Sequence, residues 1–258
     1  MIDTHCHLYL EEFDEDRDEQ VRIAKDSGIE MILTPNVDLE TIGSMHDLCD
    51  KYPDFAIPMM GLHPTNVDAN YAETLRQIEA KLPTRPYCAI GEIGMDLYWD
   101  KAFVKEQKLV FEEQLRWSID LDLPVVIHTR DAFDETFEVV HRVGADRLRG
   151  VFHSFGGTLA ELEEIKRMEN FYIGINGVAT FKKVTLDQIL PDFPIERVLL
   201  ETDAPYLAPV PYRGKRNIPI YIWKTAEKLA TIYGVSLEEI RGITRTNAIE
   251  LFKLKGFF

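Results

Sequence analysis

The stretch Ile2-Asp3-Thr4-His5-Cys6-His7-Leu8 decides the reading of this chain. It is a short apolar start running into two histidines. It stands where an open, doubly wound α/β sheet would carry a glycine-rich phosphate turn after its first strand. Working outward, comparable runs follow at Met31 to Thr34, Phe55 to Leu62, Cys88 to Ile93, Pro124 to His128, Gly150 to Phe155, Phe171 to Ile175 and Val198 to Thr202. Each is continuous rather than alternating, as strands buried on both faces of a parallel sheet are. Between them lie stretches with helical spacing, such as Glu106 to Trp117 and Leu159 to Met168. Strand–helix alternation repeated eight times over 258 residues predicts an α/β chain folded as one closed (β/α)8 TIM barrel, a single domain over residues 1–258. Ala204 to Pro211 reads as a long loop after the eighth strand, and Ser236 to Phe252 as a helix capped by Ser236, with Glu238 and Glu239 in its first turn.

Charge narrows the partners. The chain carries 44 acidic and 29 basic side chains, a net of −15. Residues 1–52 alone hold 14 acidic against four basic side chains, many of them in the run Glu11 to Glu19, which reads as the solvated face of a first helix and its approach. Such a balance excludes capture of duplex nucleic acid over a broad basic face, but leaves room for a small buried anion site. No run approaches the roughly 18 apolar residues of a membrane helix, and Met1-Ile2-Asp3-Thr4-His5 lacks the regions of a signal peptide. A cytoplasmic protein without membrane contact is expected, monomeric and with Cys6, Cys49 and Cys88 as reduced thiols.

The chemistry gathers at strand ends. Of seven histidines, His5, His7, His63, His128 and His153 fall at the carboxyl ends of predicted strands, the face on which barrel enzymes build active sites. His5 and His7 are two apart and share a strand side, with Cys6 turned away. Glu92 and Asp203 end strands four and eight, where a lone carboxylate among apolar residues would be costly to bury. Four imidazoles (His5, His7, His128, His153) and two carboxylates exceed the needs of one catalytic zinc, and two divalent ions bridged by Glu92 fit better. Mixed imidazole and carboxylate ligation suits zinc, manganese, iron or, with more waters, magnesium. His46 and His141 lie inside helical patterns and read as surface or packing residues, and His63 is placed to donate to a substrate oxygen.

Taken in order, Ile2 to Leu8, Gly61-Leu62-His63-Pro64, Ile90-Gly91-Glu92-Ile93-Gly94-Met95-Asp96, Val126-Ile127-His128-Thr129-Arg130-Asp131-Ala132, Phe152-His153-Ser154-Phe155-Gly156-Gly157 and Leu200-Glu201-Thr202-Asp203-Ala204-Pro205-Tyr206-Leu207 resemble the TatD family of metal-dependent hydrolases. Pro211 to Asn217 and Thr246-Asn247-Ala248 look like the family too, so the resemblance covers essentially the whole chain. Tyr9 departs from the family's usual Asp or Asn, Ser154 and Gly156 from its usual Cys and Ser, and Ile218 from its usual Glu. The resemblance implies His5, His7, Glu92 and Asp203 on a first metal, and Glu92, His128 and His153 on a second. It further implies a magnesium-dependent deoxyribonuclease acting as a 3'-5' exonuclease on single strands, with Zn2+ and Mn2+ as other ions the site could hold.

On that footing the expected reaction is hydrolysis of a phosphodiester at DNA strand ends. Asp203 is expected as general base, Glu92 as the bridging ligand, and His63, Arg213 and Lys215 as the phosphate-holding groups, with Arg216 close by. Glu201 shares a strand side with Asp203 and reads as a partner orienting a ligand. Tyr98, Trp99, Tyr206 and Tyr212 are candidate stacking platforms. The competing readings are a hydrolase of a small amide, lactone or phosphomonoester on the same metals, and a barrel that binds without catalysis.

Overall fold

Each apolar run becomes a parallel strand in the computed structural model, which describes residues 1–182 and 184–256; residues 183, 257 and 258, counted in the expected domain, lie outside the described residues. Strands β1 (Ile2–Asp3), β2 (Met31–Thr34) and β3 (Ala56–Pro58) pair in that order, and β4 (Ile90–Asp96), β5 (Val125–Arg130), β6 (Gly150–Phe152), β7 (Phe171–Ile175) and β8 (Val198–Leu200) in theirs. The two sheets meet at both seams. Met60 bridges in parallel to Ile90 and Cys6 to Ala204, and Thr4 N donates to Leu200 O at 3.0 Å. The barrel is thereby closed, as expected. Helices α1 (Arg17–Asp26), α2 (Thr41–Lys51), α3 (Tyr71–Glu79), α4 (Val104–Leu121), α5 (Phe133–Val143), α6 (Leu159–Arg167) and α7 (Leu186–Ile189) fill the crossovers, and α8 (Ile222–Tyr233) and α9 (Leu237–Phe252) follow β8.

Strand periodicity sorts the apolar side chains into two cores. Ile2, Met31, Ile57, Val126, Val151 and Leu199 cluster with Ala248, Leu251 and Phe252 of α9, which fills the amino-terminal end of the barrel. Their strand neighbours Ile32, Ala56, Ile90, Ile127, Phe152 and Leu200 pack instead with the surrounding helices. Helix α9 starts as expected at Ser236, whose Oγ accepts from Glu239 N while Glu239 accepts from Ser236 N at 2.8 Å. Asn247 pins the same helix to the entry of β8 by donating to Val198 O and Ile195 O.

Following the inward residues up each strand leads to the site. Val126 is followed two residues later by His128, Val151 by His153, and Leu199 by Glu201 and Asp203. Strands β1, where His5 lies three residues beyond the inward Ile2, and β4 depart from that count. From Ala89 a period of two would place Gly91 and Ile93 inside and turn Glu92 towards the helices. The register with β5 runs Ile90 to Val125 and then Ile93 to Ile127, so β4 carries one extra residue there. That bulge turns Glu92 inward, and Gly91 beside it can have no side chain, since a Cβ would lie 2.6 Å from Val126 Cβ.

Candidate metal centre

Glu92 is buried at the centre of the barrel mouth, and its two oxygens face different partners. Oε2 is 3.1 Å from His5 Nε2 and 3.7 Å from His7 Nε2, whereas Oε1 is 2.9 Å from His128 Nδ1 and 3.8 Å from His153 Nε2. Asp203 Oδ1 closes the first group at 3.5 Å from His7 Nε2 and 3.7 Å from His5 Nε2. The structure thus brings together all six residues expected as ligands, in overlapping groups whose donor atoms lie within 4.8 Å of one another. His153 is shared between the two sides rather than confined to the second. Its Nε2 is also 3.8 Å from Asp203 Oδ1, and its ring stacks on that of His5 with centroids 3.4 Å apart.

The outer partners decide which nitrogen each imidazole offers. Tyr9 donates its hydroxyl proton to Pro35 O at 2.8 Å, so its oxygen can only accept from His7 Nδ1–H at 3.0 Å, and His7 Nε2 keeps its lone pair. His153 Nδ1 lies 2.9 Å from Glu201 Oε1 as an ion pair, with Nε2 turned inward. His128 is reversed: Nε2 bonds Asp96 Oδ2 at 2.9 Å, so Nδ1 faces Glu92. His63 differs in kind. Its Nδ1 accepts from Thr65 N and pairs with Thr65 Oγ1, so its Nε2 carries the proton and faces Glu92 Oε1 at 3.4 Å as a donor. His63 lies within reach of a metal group with Glu92 and His128, but its tautomer suits a substrate oxygen better than a cation.

The donor set fits divalent cations on two observations. The unprotonated Nε2 of His7 and Oε2 of Glu92 both point at His5 Nε2 from 3.1 Å, two lone pairs converging on one atom that can carry at most one proton, a convergence that draws positive charge. In the protein alone that charge is carried by imidazolium. Burial would lower the His153 pKa, but Glu201, Glu92 and Asp203 outweigh it and push it up to about 10. Burial likewise would raise the Glu92 carboxyl, yet His5, His63, His153 and His128 hold it well below its ordinary range. Cations supply the same compensation without protons.

The profile of the family described as TatD related DNase matches residues 2–253. The chain belongs to the TatD family. It is 35% identical to the uncharacterized metal-dependent hydrolase YabD of Bacillus subtilis, over 98% of this chain and 99% of that one. It is 30% identical to a protein of Erwinia tasmaniensis named 3'-5' ssDNA/RNA exonuclease TatD, over 98% and 100% of the two chains. The crystal structure of the TatD homologue YjjV from Escherichia coli superposes with a TM-score of 0.91 at 28% identity, over 98% of both chains. As a TatD family member the chain is a metal-dependent hydrolase on a TIM barrel.

Several residues of this TatD protein act behind the donors. Glu201, expected as an orienting partner, is buried, accepts from Ser154 N at 2.6 Å and faces His153. Gly174 makes room for it, since a Cβ there would lie 2.2 Å from Glu201 Oε2. Asp3, not singled out from the sequence, clasps β1 to the end of β8 by accepting from Thr202 N and Oγ1 and from His5 N. Asp96, two steps of the strand period from Glu92 and so on the same face, holds His128 Nε2. Tyr9, a departure from the family pattern, supplies the acceptor for His7 Nδ1–H. Tyr9→Phe is therefore expected to weaken metal binding about 10- to 100-fold in a chain that still folds, measured by competition with a chromogenic chelator. Undiminished affinity would show that the hydroxyl does not orient His7.

The cations expected to hold phosphate are placed elsewhere. The cleft over the metal donors, about 940 Å³, is lined by His63, Trp99, Arg130 and Tyr206 among others, but not by Arg213 or Lys215. Arg213 lies over the Phe181 ring and Lys215 is exposed. Arg216 is spent on Asp16 at 2.9 Å and on Glu12 O, which ties the loop after β8 to the acidic first segment. Tyr212 is stacked on Tyr221, ring centroids 3.9 Å apart, leaving Tyr206, Trp99 and Tyr98 as open aromatic surfaces. His46 and His141 are engaged with Tyr87 and Glu164, away from the cleft. Among the described residues no helix is long and apolar enough to cross a membrane.

Proposed function

We propose that this protein is a deoxyribonuclease that removes nucleotides from the 3' end of single-stranded DNA, using two divalent cations. The observation that carries the reading is Glu92, whose two oxygens turn to different imidazoles, Oε2 to His5 and Oε1 to His128. His5, His7, Asp203 and Glu92 would hold one ion, and Glu92, His128 and His153 the other, with Mg2+ as the working metal and Zn2+ or Mn2+ also suited to the donors. Divalent cations in these positions supply charge against the phosphoryl oxygens and acidify water near neutral pH.

The rest falls to the chain. Asp203 takes the proton of the attacking water, for which it must be ionised. Burial would raise its carboxyl, but His153, with His7 and His5, holds it below its ordinary range. His63 Nε2–H donates to a phosphoryl oxygen, its ring locked by Thr65. Glu201, Asp96 and Tyr9 keep His153, His128 and His7 aimed. The relative named as a 3'-5' ssDNA/RNA exonuclease supports the substrate class.

The test pairs elemental analysis of the purified protein with digestion of a 5'-labelled single-stranded oligonucleotide. Two metals per chain and a ladder shortening one nucleotide at a time are expected. An oligonucleotide left intact by the metal-loaded protein would turn the reading towards small esters or amides.

A further inference from the structure

Above the metal donors the cleft is strongly acidic. Its lining includes Asp131, Asp134, Glu135 and Glu161 as well as the carboxylates of the centre, and Arg130 is the sole Lys or Arg among the described lining residues. Arg130 lies at the end of β5, two residues beyond His128, and so shares its inward strand side. Most arginines of this acidic chain are paired, as Arg216 is with Asp16 and Arg142 with Glu112. No ion pair to Arg130 occurs among the described residues. Its guanidinium carbon instead sits 3.7 Å from the Tyr98 ring centroid and 5.2 Å from that of Trp99. Stacking on aromatic faces fixes the guanidinium plane and leaves its in-plane N–H donors free for an anion.

The platform is built in register with the reaction centre. Asp96 Oδ2 bonds His128 Nε2, while its Oδ1 accepts from Tyr98 N at 3.0 Å and Trp99 N at 3.2 Å. One carboxylate thus fixes both a metal donor and the backbone that carries the two rings. The rings stand perpendicular, centroids 5.0 Å apart, and Trp99 is 70% exposed. Trp99 also forms the wall between the main cleft and a smaller pocket of about 360 Å³.

We infer that Arg130, Tyr98 and Trp99 form a nucleotide subsite beside the scissile position, in which Arg130 binds the neighbouring phosphodiester and Trp99 stacks on an unpaired base. The inference rests on the phosphodiesterase reading above and adds what selects a strand over an isolated ester. A base can reach the Trp99 face only when unpaired, which favours single strands. The acidic residues farther along the rim repel additional phosphates, so the subsite holds one phosphate beyond the reacting one.

The experiment compares a single-stranded octathymidylate with bis(p-nitrophenyl) phosphate, a diester with one phosphate and no base, on the metal-saturated full chain. In Arg130→Ala and in Trp99→Ala, both changes at exposed positions, the ratio of kcat/KM for the oligonucleotide to that for the small diester is expected to fall about tenfold, carried by KM. Arg130→Ala should also flatten the dependence of log kcat/KM for the oligonucleotide on log salt by about 0.7, one phosphate's worth on a single strand, while Arg130→Lys and Trp99→Ala keep the slope. A ratio unchanged in both alanine variants would overturn the inference and leave the hydrolase reading standing. Fluorescence anisotropy of the labelled oligonucleotide separates the two failures. Binding weakened about tenfold by Arg130→Ala, with no cleavage by the wild-type protein, would support the subsite and overturn the nuclease.

Discussion

Replacing Glu92 by Gln is expected to lower oligonucleotide hydrolysis by about 10³-fold and to reduce the metal content from two ions per chain to one. The size follows from the several kcal/mol that metal polarisation of a phosphoryl group supplies, at 1.36 kcal/mol per tenfold in rate. The direction follows from the two faces of this carboxylate. Oε2 addresses His5 and His7, and Oε1 addresses His128. A glutamine keeps one acceptor oxygen but presents an NH2 on the other side, where it can donate but cannot hold a cation. The substitution changes neither size nor backbone demands, so the chain should fold. Elemental analysis and a timed digestion of a labelled oligonucleotide read the two effects. Near wild-type cleavage with two metals retained would sink the bridging role.

Asp203→Asn is the second large effect, expected to lower kcat by about 10³-fold, within the range of removing a general base. Asparagine is the right test because Asp203 has φ 59°, in the left-handed region that Asp and Asn tolerate and most other residues resist. The backbone N–H of Asp203 bonds His5 O at 2.8 Å, and its carbonyl accepts from Tyr206 N, so an unstrained replacement keeps the strand end in place. Because His153 and its neighbours hold the Asp203 carboxyl below the usual range, the wild-type base is ionised from mildly acidic pH upward, and its protonation sets no limb between pH 6 and 8. The variant should therefore show its loss evenly across that window. A loss that vanished at high pH would contradict a role in proton transfer, and full metal loss with the rate loss would reduce Asp203 to a ligand.

The fold and the gathering of the candidate ligands at the barrel mouth were legible because both depend on local pattern. Parallel strands buried on two faces are continuous apolar runs, and ionisable residues at their carboxyl ends have nowhere to go but the barrel mouth. His128, His153 and Asp203 could be read in this way from their even distance beyond the last inward apolar residue, whereas His5 and His7, three and five residues beyond Ile2, follow from their position at the strand end and not from the count. Glu92 could not, strictly. Counting by twos from Ala89 turns it outward, and only the extra residue in β4 brings it in. The phosphate-holding cations were misplaced for a related reason. Arg213, Lys215 and Arg216 are near the end of β8 in sequence, but the Arg216–Asp16 pair ties their loop to the first segment instead of the mouth. Arg130 stands two residues from His128 on the same strand face, a spacing by which the sequence marks it as facing the mouth.

The chain's order of apolar runs and the chemistry at their ends determined the barrel and the ligand residue types, and the resemblance of its motifs to the TatD family gave the hydrolase class. Tertiary structure alone decided the protons. Which imidazole nitrogen is free depends on Tyr9, Asp96, Glu201 and Thr65, groups brought to each ring by strand register and loop path. It also decided which cation reaches the cleft. Periodicity fixes the side of a strand on which a residue lies, but the partners of a long side chain depend on every element packed around it. In this acidic protein, aromatic rings rather than carboxylates hold Arg130 at the cleft.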